Sequence, residues 1–549
     1  MNGKRAEKGN RKPNGVFVYF VLLFMALSLR VAIVRVLPND APDDGLTYDQ
    51  MARNLVERHV YSHDTEPPYA PSLIRMPGYP LFLAGVYSIF GPDKTAVRII
   101  QALIDTATCA MIGMLAWLWE PDKSRKRFSS MLAIVLAAVC PFTMIYAATI
   151  LSENAAMFLA IAMTLTATLA LRSTKHKSML WWWIASGLIA GIAVFIRPDN
   201  GLFALAMGLT LLMATLSRAS DVGLREKREE VFFRVARASY LGAVFSLAFC
   251  LVLVPWAIRN YRVFHLFQPL SPAHGEMPGE FVPRGYLTWV RTWIDDDRYI
   301  GATIWSVDEQ PIKLKNIPDK AFDSAEEKLK VGELLDKYNG ASEESGLFTD
   351  EKGSPDQNDE AQTDQSDQEN TNEGDEGEDE SDDESQADEA GPADESANVE
   401  MTPEIDAGFA QLAKERISRH PFRYYVLLPL KRAGSLWFDT HSDYYPFQGE
   451  LLPLSDLDHS IHQQYWLPLF AGLSLIYTIL GLAGALFLMH YPTARIWVLL
   501  VALLIFLRVG FFSTMENPEP RYVVEVFPFL SVLGGIALAT LGTRFRKGG

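Results

Sequence analysis

The apolar residues of this chain gather into runs of roughly 17–25, the length a helix needs to cross the hydrocarbon layer of a bilayer. Inside lipid every backbone N–H and C=O must be bonded within the chain, and separate runs of this length achieve that as helices. About ten spans are read, near 16–36, 95–118, 129–149, 154–171, 181–197, 201–217, 239–258, 466–489, 496–512 and 522–541. The expectation is an all-α polytopic membrane protein with about ten transmembrane helices. The first run is too long for a cleaved secretory signal and lacks a clear small-residue cleavage site. The three cysteines, Cys109, Cys140 and Cys250, all fall inside such runs, so no disulfide framework is expected.

Short cytoplasmic loops keep an excess of Lys and Arg. The N-terminus MNGKRAEKGNRK, the loops PDKSRKRF, RSTKHK and LREKREEVFFRVAR, and the tail TRFRKGG are all basic. Every second loop is therefore positive, which places both termini in the cytoplasm and the loops 37–94 and 259–465 outside it. PGYPLFLAGVYSIFG (77–91) is apolar but too short to span, and reads as an interfacial or re-entrant helix. The expected organisation is an N-terminal transmembrane module (1–258), an extracytoplasmic region (259–465) and C-terminal transmembrane helices (466–549).

Net charge misleads in this chain. The 549 residues carry a formal −16, but Glu343 to Glu400 alone hold 24 acidic residues and one lysine. Setting that segment's −23 aside leaves +7 elsewhere, so the membrane part is mildly basic. The segment 341–400 has almost no aromatics and cannot bury enough surface to fold. It interrupts two stretches, 259–340 and 401–465, that mix aromatic, apolar and charged residues as folded segments do. There is no GxxxxGK[ST], GxGxxG after a strand, HExxH or CxxC, and nothing suits a nucleic-acid partner.

The loop 37–94 carries the densest chemistry. Asp43 and Asp44 stand just past the first run, and Tyr48, Ala52 and Leu55 recur at helical spacing, so YDQMARNLVER reads as a short amphipathic surface helix. A carboxylate at the bilayer edge, partly dried by its neighbours, has a raised pKa and makes a useful base. The same two aspartates equally read as caps of that helix. Glu153 reads either as a functional carboxylate at a helix mouth or as a cap. Arg259 and Arg521 read either as phosphate ligands or as snorkelling anchors, and Arg197 as such an anchor. His63, His274 and His441 show no metal-ligand spacing, and the metal question is left open.

The stretch Asp44, Tyr48, Ala52, Arg75, Pro77–Pro80, Phe90–Gly91, Arg98 resembles the first outer loop of the GT-C membrane glycosyltransferases. The likeness is to the branch holding protein O-mannosyltransferases and the lipid A aminoarabinose transferase. TILSEN (149–154), GLIAGIAVFIRPDN (187–200), VPWAIRNYRVFHLFQPLS (254–271) and ENPEPRYVVEVFPFL (516–530) follow in that family's order. Gly45 and Thr47 depart from the aminoarabinose transferase pattern, which leaves the donor sugar open. The resemblance implies a GT-C-like bundle with interfacial helices, and transfer of a sugar from a polyprenyl-phosphate donor to an acceptor lipid, glycan or protein, with inversion. It implies Asp44 as the base and Glu153 as a second catalytic carboxylate, placing the acceptor or a divalent metal. Arg75, Tyr48, Tyr79, Arg259, Arg521 and Tyr522 would bind substrate, in a prokaryotic plasma (inner) membrane. The rival readings are a transporter or lipid flippase and a non-catalytic assembly protein. No repeated halves favour the first rival, and the order of acidic and basic motifs is unexplained by the second.

Overall fold

A computed structural model describes residues 15–39, 43–216, 224–340, 399–439, 441, 444–447 and 462–548. The basic N-terminus, the loop 217–223, the acidic insert from 341 to 398 and the side chain of Asp43 lie outside the described residues. The described chain runs through α1 (Gly15–Val36), α2 (Asp43–Arg58), α3 (Gly78–Phe90), α4 (Lys94–Trp119), α5 (Lys126–Ala138), α6 (Pro141–Met144), α7 (Glu153–Arg172), α8 (His176–Ile196) and α9 (Gly201–Leu216). It continues through α10 (Leu224–Phe264), α11 (Arg284–Arg291), α12 (Ala325–Tyr338), α13 (Pro403–Arg419), α14 (Leu428–Phe438), α15 (Leu467–Met489), α16 (Arg495–Phe512) and α17 (Phe527–Gly548). No β-strand occurs among the described residues.

Among the described residues eight helices are long and apolar enough to cross a bilayer, or nine if a bent pair is counted as one span. The segment read as a span at 129–149 is instead a pair, α5 followed by Pro141–Ala147, bent by 60° at the break. Proline at 141 cannot continue the α5 hydrogen-bond ladder. The segment read at 201–217 is a 16-residue helix that follows a 3-10 turn at Pro198–Asn200. The 77–91 stretch is the 13-residue α3, as its length required. Helix α1 shows why the surroundings are lipid: Phe17, Phe20 and Phe24 are 60–65% exposed, an apolar face that water would not tolerate at this size. The chain is a multi-pass membrane protein.

Helix α17 is the most enclosed span, packed on α15, α5 and α4. Small residues allow this where apolar solvent supplies no hydrophobic drive between helices. A Cβ on Gly484 of α15 would collide with the Leu533 carbonyl of α17. The break after α5 frees carbonyl oxygens that need donors. Arg30 of α1 supplies them, donating from Nη1 to Ala138 O at 2.9 Å and from Nη2 to Ala137 O at 3.1 Å. Its Nε meets Asp105 Oδ2 at 2.6 Å, so the buried charge is itself paired.

One end of the bundle gathers α2, α3, the start of α7, the turn between α8 and α9, the end of α10 and the segment leading into α17. Beyond it, residues 284–340 and 399–419 pack around their own core of Tyr286, Trp289, Trp293, Val331, Leu335 and Phe409. Helix α14 joins this cap to the bundle. Its buried Arg432 donates to Ile294 O at 2.8 Å on the cap side and to Ser513 O at 3.3 Å on the bundle side.

Candidate active site

Helix α2 forms because Met51, Ala52 and Leu55 share one face, which settles against α3 and the bundle. That packing puts Asp44, in the first turn of α2, where two guanidinium groups reach it. Arg75 Nη2 lies 2.9 Å from Asp44 Oδ1, and Arg521 Nη2 lies 3.0 Å from Oδ2. The two arginines come from opposite ends of the sequence. Arg75 sits in the turn before α3, its carbonyl held by the Tyr61 hydroxyl at 3.0 Å. Arg521 sits in the 3-10 segment Pro520–Val526 that leads into α17, and also pairs with Glu519 and meets Tyr444 Oη at 3.2 Å. Burial opposes the charge on Asp44, but Arg521 and Arg75 together hold its carboxyl below the ordinary range. The raised value expected for a dried carboxylate is therefore reversed by its partners. Glu519 is pushed the other way, by burial.

The site has an open rim and a dry interior. At the rim the side chains of Asp44 and Arg75 are 27% and 36% exposed. Behind them Glu153, the first residue of α7, is buried and paired with Arg197. Arg197 also meets Asp199 Oδ1 at 3.2 Å and Glu525 Oε1 at 3.5 Å. Tyr48 lies between rim and interior, within electrostatic reach of Asp44, Glu153, Arg75 and Arg197, and burial pushes its phenol up.

The remaining residues singled out in the sequence take different places. Tyr48 packs edge-on against Tyr79, the buried Tyr79 hydroxyl donates to Gln101 Oε1 at 2.7 Å, and Gln101 Nε2 donates to Thr149 O at 2.7 Å. Tyr522 stacks on Phe512, and its hydroxyl donates to Glu519 at 3.0 Å. Arg259 is not drawn to Asp44. It donates to Ser72 O at 2.7 Å and lies against Trp256, Tyr61 and Phe264, bracing the strand of chain that carries Arg75. Arg98 donates to Asn39 and to Leu37 O, each at 3.0 Å, and fixes the exit from α1. His274 stands 3.4 Å from Glu516, and His441 is buried against Phe142 and Phe527.

Sequence reading passed over Arg508, Asp199, Glu525 and Glu519. An arginine inside the apolar run IFLRVGFF was the signal for the first, since an ionisable residue at membrane depth needs a partner. Among the described residues no three His, Cys, Asp or Glu side chains converge to hold a metal ion, and guanidinium groups already meet the carboxylates of the site. A divalent metal does not fit this residue set, and no step below passes through one.

Residues 71–226 match the family described as dolichyl-phosphate-mannose-protein mannosyltransferase. The resemblance to the membrane glycosyltransferases is borne out. The matched segment takes in Arg75, Tyr79, Glu153 and Arg197. No curated protein sequence matches the chain. Among solved structures, the archaeal oligosaccharyltransferase AglB from Archaeoglobus fulgidus, in complex with an inhibitory peptide and a dolichol-phosphate, aligns at 13% identity. That alignment covers 96% of this chain and 50% of that one, with a TM-score of 0.47. ArnT from Cupriavidus metallidurans bound to undecaprenyl phosphate aligns at 12% identity over 96% of this chain and 78% of that one, with a TM-score of 0.33. The chain spans about half the length of the oligosaccharyltransferase it matches.

Proposed function

We propose that this protein transfers a sugar from a polyprenyl-phosphate carrier to an acceptor hydroxyl, with inversion at the anomeric carbon. The observation that carries the reading is the Asp44 carboxylate held between Arg75 and Arg521 at an open rim. The acceptor oxygen bonds to the anomeric carbon as the bond from that carbon to the phosphate oxygen breaks. The hydroxyl proton passes to Asp44, and the electron pair leaves with the polyprenyl phosphate. General-base help of this kind contributes about 10²–10⁴ in rate. Arg75 and Arg521 serve as the cations that neutralise the departing phosphate, and arginine's planar fork suits two phosphate oxygens at once.

The resting contacts also explain how one carboxylate serves as base while paired to two cations. A donor phosphate competes with Asp44 for Arg75 and Arg521. Its arrival strips Asp44 of the partners that depress its basicity, so the base strengthens when the donor is in place. Glu153, Tyr48 and Tyr79 complete the inner wall beside the reacting sugar. The reaction is assigned to the extracytoplasmic face of a prokaryotic plasma membrane, with both termini inside, on the alternation of basic loops. The acceptor is a lipid, a glycan or a protein.

The test uses the full chain in lipid nanodiscs with radiolabelled polyprenyl-phosphate mannose, and envelope fractions from cells lacking the protein as acceptor. Donor-dependent transfer of label is the expected result. Movement of the intact donor between leaflets without cleavage would instead establish the flippase reading.

A further inference from the structure

We propose that Arg508, Asp199 and Glu525 are positioning residues that hold Glu153 through Arg197, and that this buried network works with Glu525 carrying a proton. What Glu153 does for the reaction rests on the glycosyl-transfer reading; the network and its proton do not.

The members are far apart in sequence and meet at the end of the bundle. Arg508 belongs to the last turns of α16, Asp199 to the turn between α8 and α9, and Glu525 to the segment entering α17. Arg508 is fully buried, with Nη2 2.6 Å from Asp199 Oδ2 and 3.0 Å from Glu525 Oε1. The rings of Phe203 and Phe512 lie 4.9 and 5.3 Å from its guanidinium carbon, which leaves the group little lateral freedom. Its Nε donates to the Tyr522 carbonyl, so the same arginine fixes the short segment that presents Arg521 to Asp44. Asp199 accepts from Arg197 at both oxygens, Nε at 3.2 Å and Nη2 at 3.4 Å, and shares Oδ2 with Arg508. Arg197 is thereby held on its Nε side, and its Nη1 is left to grip Glu153. With Arg508 removed, Asp199 and Glu525 both lose a cation, and Arg197 is the cation nearest to replace it. Glu153 would then lose its hold.

The charge count adds the second half of the proposal. Three carboxylates, Glu153, Asp199 and Glu525, face two guanidinium groups in a water-poor interior. An unmatched buried charge is expensive, and such a group takes up a proton instead. Glu525 Oε1 meets Arg508 and Arg197 only as ion-pair contacts and its Oε2 has no hydrogen-bond partner among the described residues, whereas Glu153 is bonded through one oxygen and Asp199 through both. Glu525 is therefore the member that carries the proton. The charged groups that face it are Arg508 from α16, Arg197 and Asp199 from the turn after α8, and Glu153 from α7. Loss of that proton puts a full negative charge beside Arg197, in competition with Glu153.

The experiment uses the full chain in nanodiscs with polyprenyl-phosphate mannose as donor. Arg508→Gln should lower kcat by about 10–100-fold with donor KM within about threefold, the signature of a group acting on the chemical step, and Arg508→Lys should regain part of the loss. Glu525→Gln keeps the shape of the protonated acid without an ionisable carboxyl, so it is the reference for the infrared measurement. Infrared spectra at neutral pH should show a carboxylic-acid carbonyl band that Glu525→Gln removes. A missing band, or one that Glu525→Gln leaves unchanged, overturns the proton, and a bound monovalent cation would then balance the count. Equal turnover per folded molecule in Arg508→Gln overturns the brace. If the unaltered protein transfers no sugar from this donor, the glycosyl-transfer reading fails by itself. The infrared band still decides the proton, and a structure of Arg508→Gln with the Arg197–Glu153 pair intact would overturn the brace.

Discussion

Asp44 is held by two opposing influences. Burial favours its neutral form, and Arg521 and Arg75 favour the carboxylate and prevail. The residue is thus ionised at neutral pH, the protonation state a base requires. Asp44→Asn keeps the shape and hydrogen-bonding atoms but cannot take a proton. It should reduce transfer by about 10²–10⁴ while the thermal midpoint stays near that of the unaltered protein; turnover within about threefold would reassign the base. Arg75→Ala should weaken polyprenyl-phosphate binding and slow the reaction, and Arg75→Lys should restore only part, because an ammonium gives up the two-point grip. Titration with polyprenyl phosphate alone reads the binding half. These two residues, Glu153 and Arg521 were legible in sequence because each follows a turn signal or ends an apolar run, in an order that resembles a known family. Arg508 and Glu525 were not. Each lies within an apolar run, and the turn after α8 that both meet comes from more than 300 residues away, as the contact of Arg508 with Asp199 shows. Position in a hydropathy profile distinguishes a buried cation from a snorkelling anchor only when the partner is known.

Hydropathy counted elements well and their continuity less well. It measures apolar length, and neither the 60° bend after α5 nor the short α9 changes that length much. Pro141 and Pro198 mark both interruptions. Contacts between elements are subtler still. Gly78 opens α3 directly against the end of α8, and a Cβ there would collide with the Phe195 carbonyl. Phe195 lies two residues before Arg197. Gly78→Ala should therefore cost about 1–3 kcal/mol by overpacking and, by pushing the end of α8 aside, lower transfer more than stability. Circular-dichroism melting together with turnover separates the two. A second contact ties the loop after α10 to the segment before α17. His274 Nε2 stands 3.4 Å from Glu516 Oε1, and Arg291 meets the other oxygen at 2.6 Å. The hydrogen bond to Glu516 raises the imidazole. Burial opposes the charge on Glu516, yet His274 and Arg291 bring the carboxyl down to about 2. The raised histidine contributes fully below its ordinary value and loses that contribution as pH climbs through its folded value. The lowered carboxylate contributes above its ordinary value and fails only as pH falls toward about 2. The latch is complete between those limits and loosens on the alkaline side. Protection of residues 270–280 against hydrogen exchange, taken relative to the intrinsic base-catalysed rate, should fall as pH rises past the histidine, and His274→Gln should remove that fall.

At the scale of the whole molecule, the acidic insert is the feature least like the rest of the chain, and the described residues on either side of it say how it is mounted. Tyr338, at the end of α12, offers its hydroxyl to the Asp308 backbone N–H at 2.8 Å. Met401, just before α13, donates its own N–H to the Asp308 carboxylate at 2.7 Å. One residue therefore receives both flanks. Asn339 adds a two-way bond to the Ile312 backbone, at 3.0 Å in each direction, and Val399 packs against the same core as Tyr338. The described residues before and after the insert therefore meet at neighbouring points of the cap. A linker of about ten residues reaches up to about 35 Å when extended, ample for flanks held by one residue. Closing a long loop between fixed ends costs only about 0.6 kcal/mol more per doubling of length, so shortening it changes stability little. Replacing 341–398 with such a Gly/Ser linker should leave expression, melting and transfer close to those of the full chain. The surface charge should change most, because 23 acidic residues and one lysine leave with the segment. Weakened transfer in a protein that still melts normally would show that the insert captures the acceptor, and restoration by a linker of scrambled Asp/Glu composition would identify charge, rather than sequence, as what it contributes.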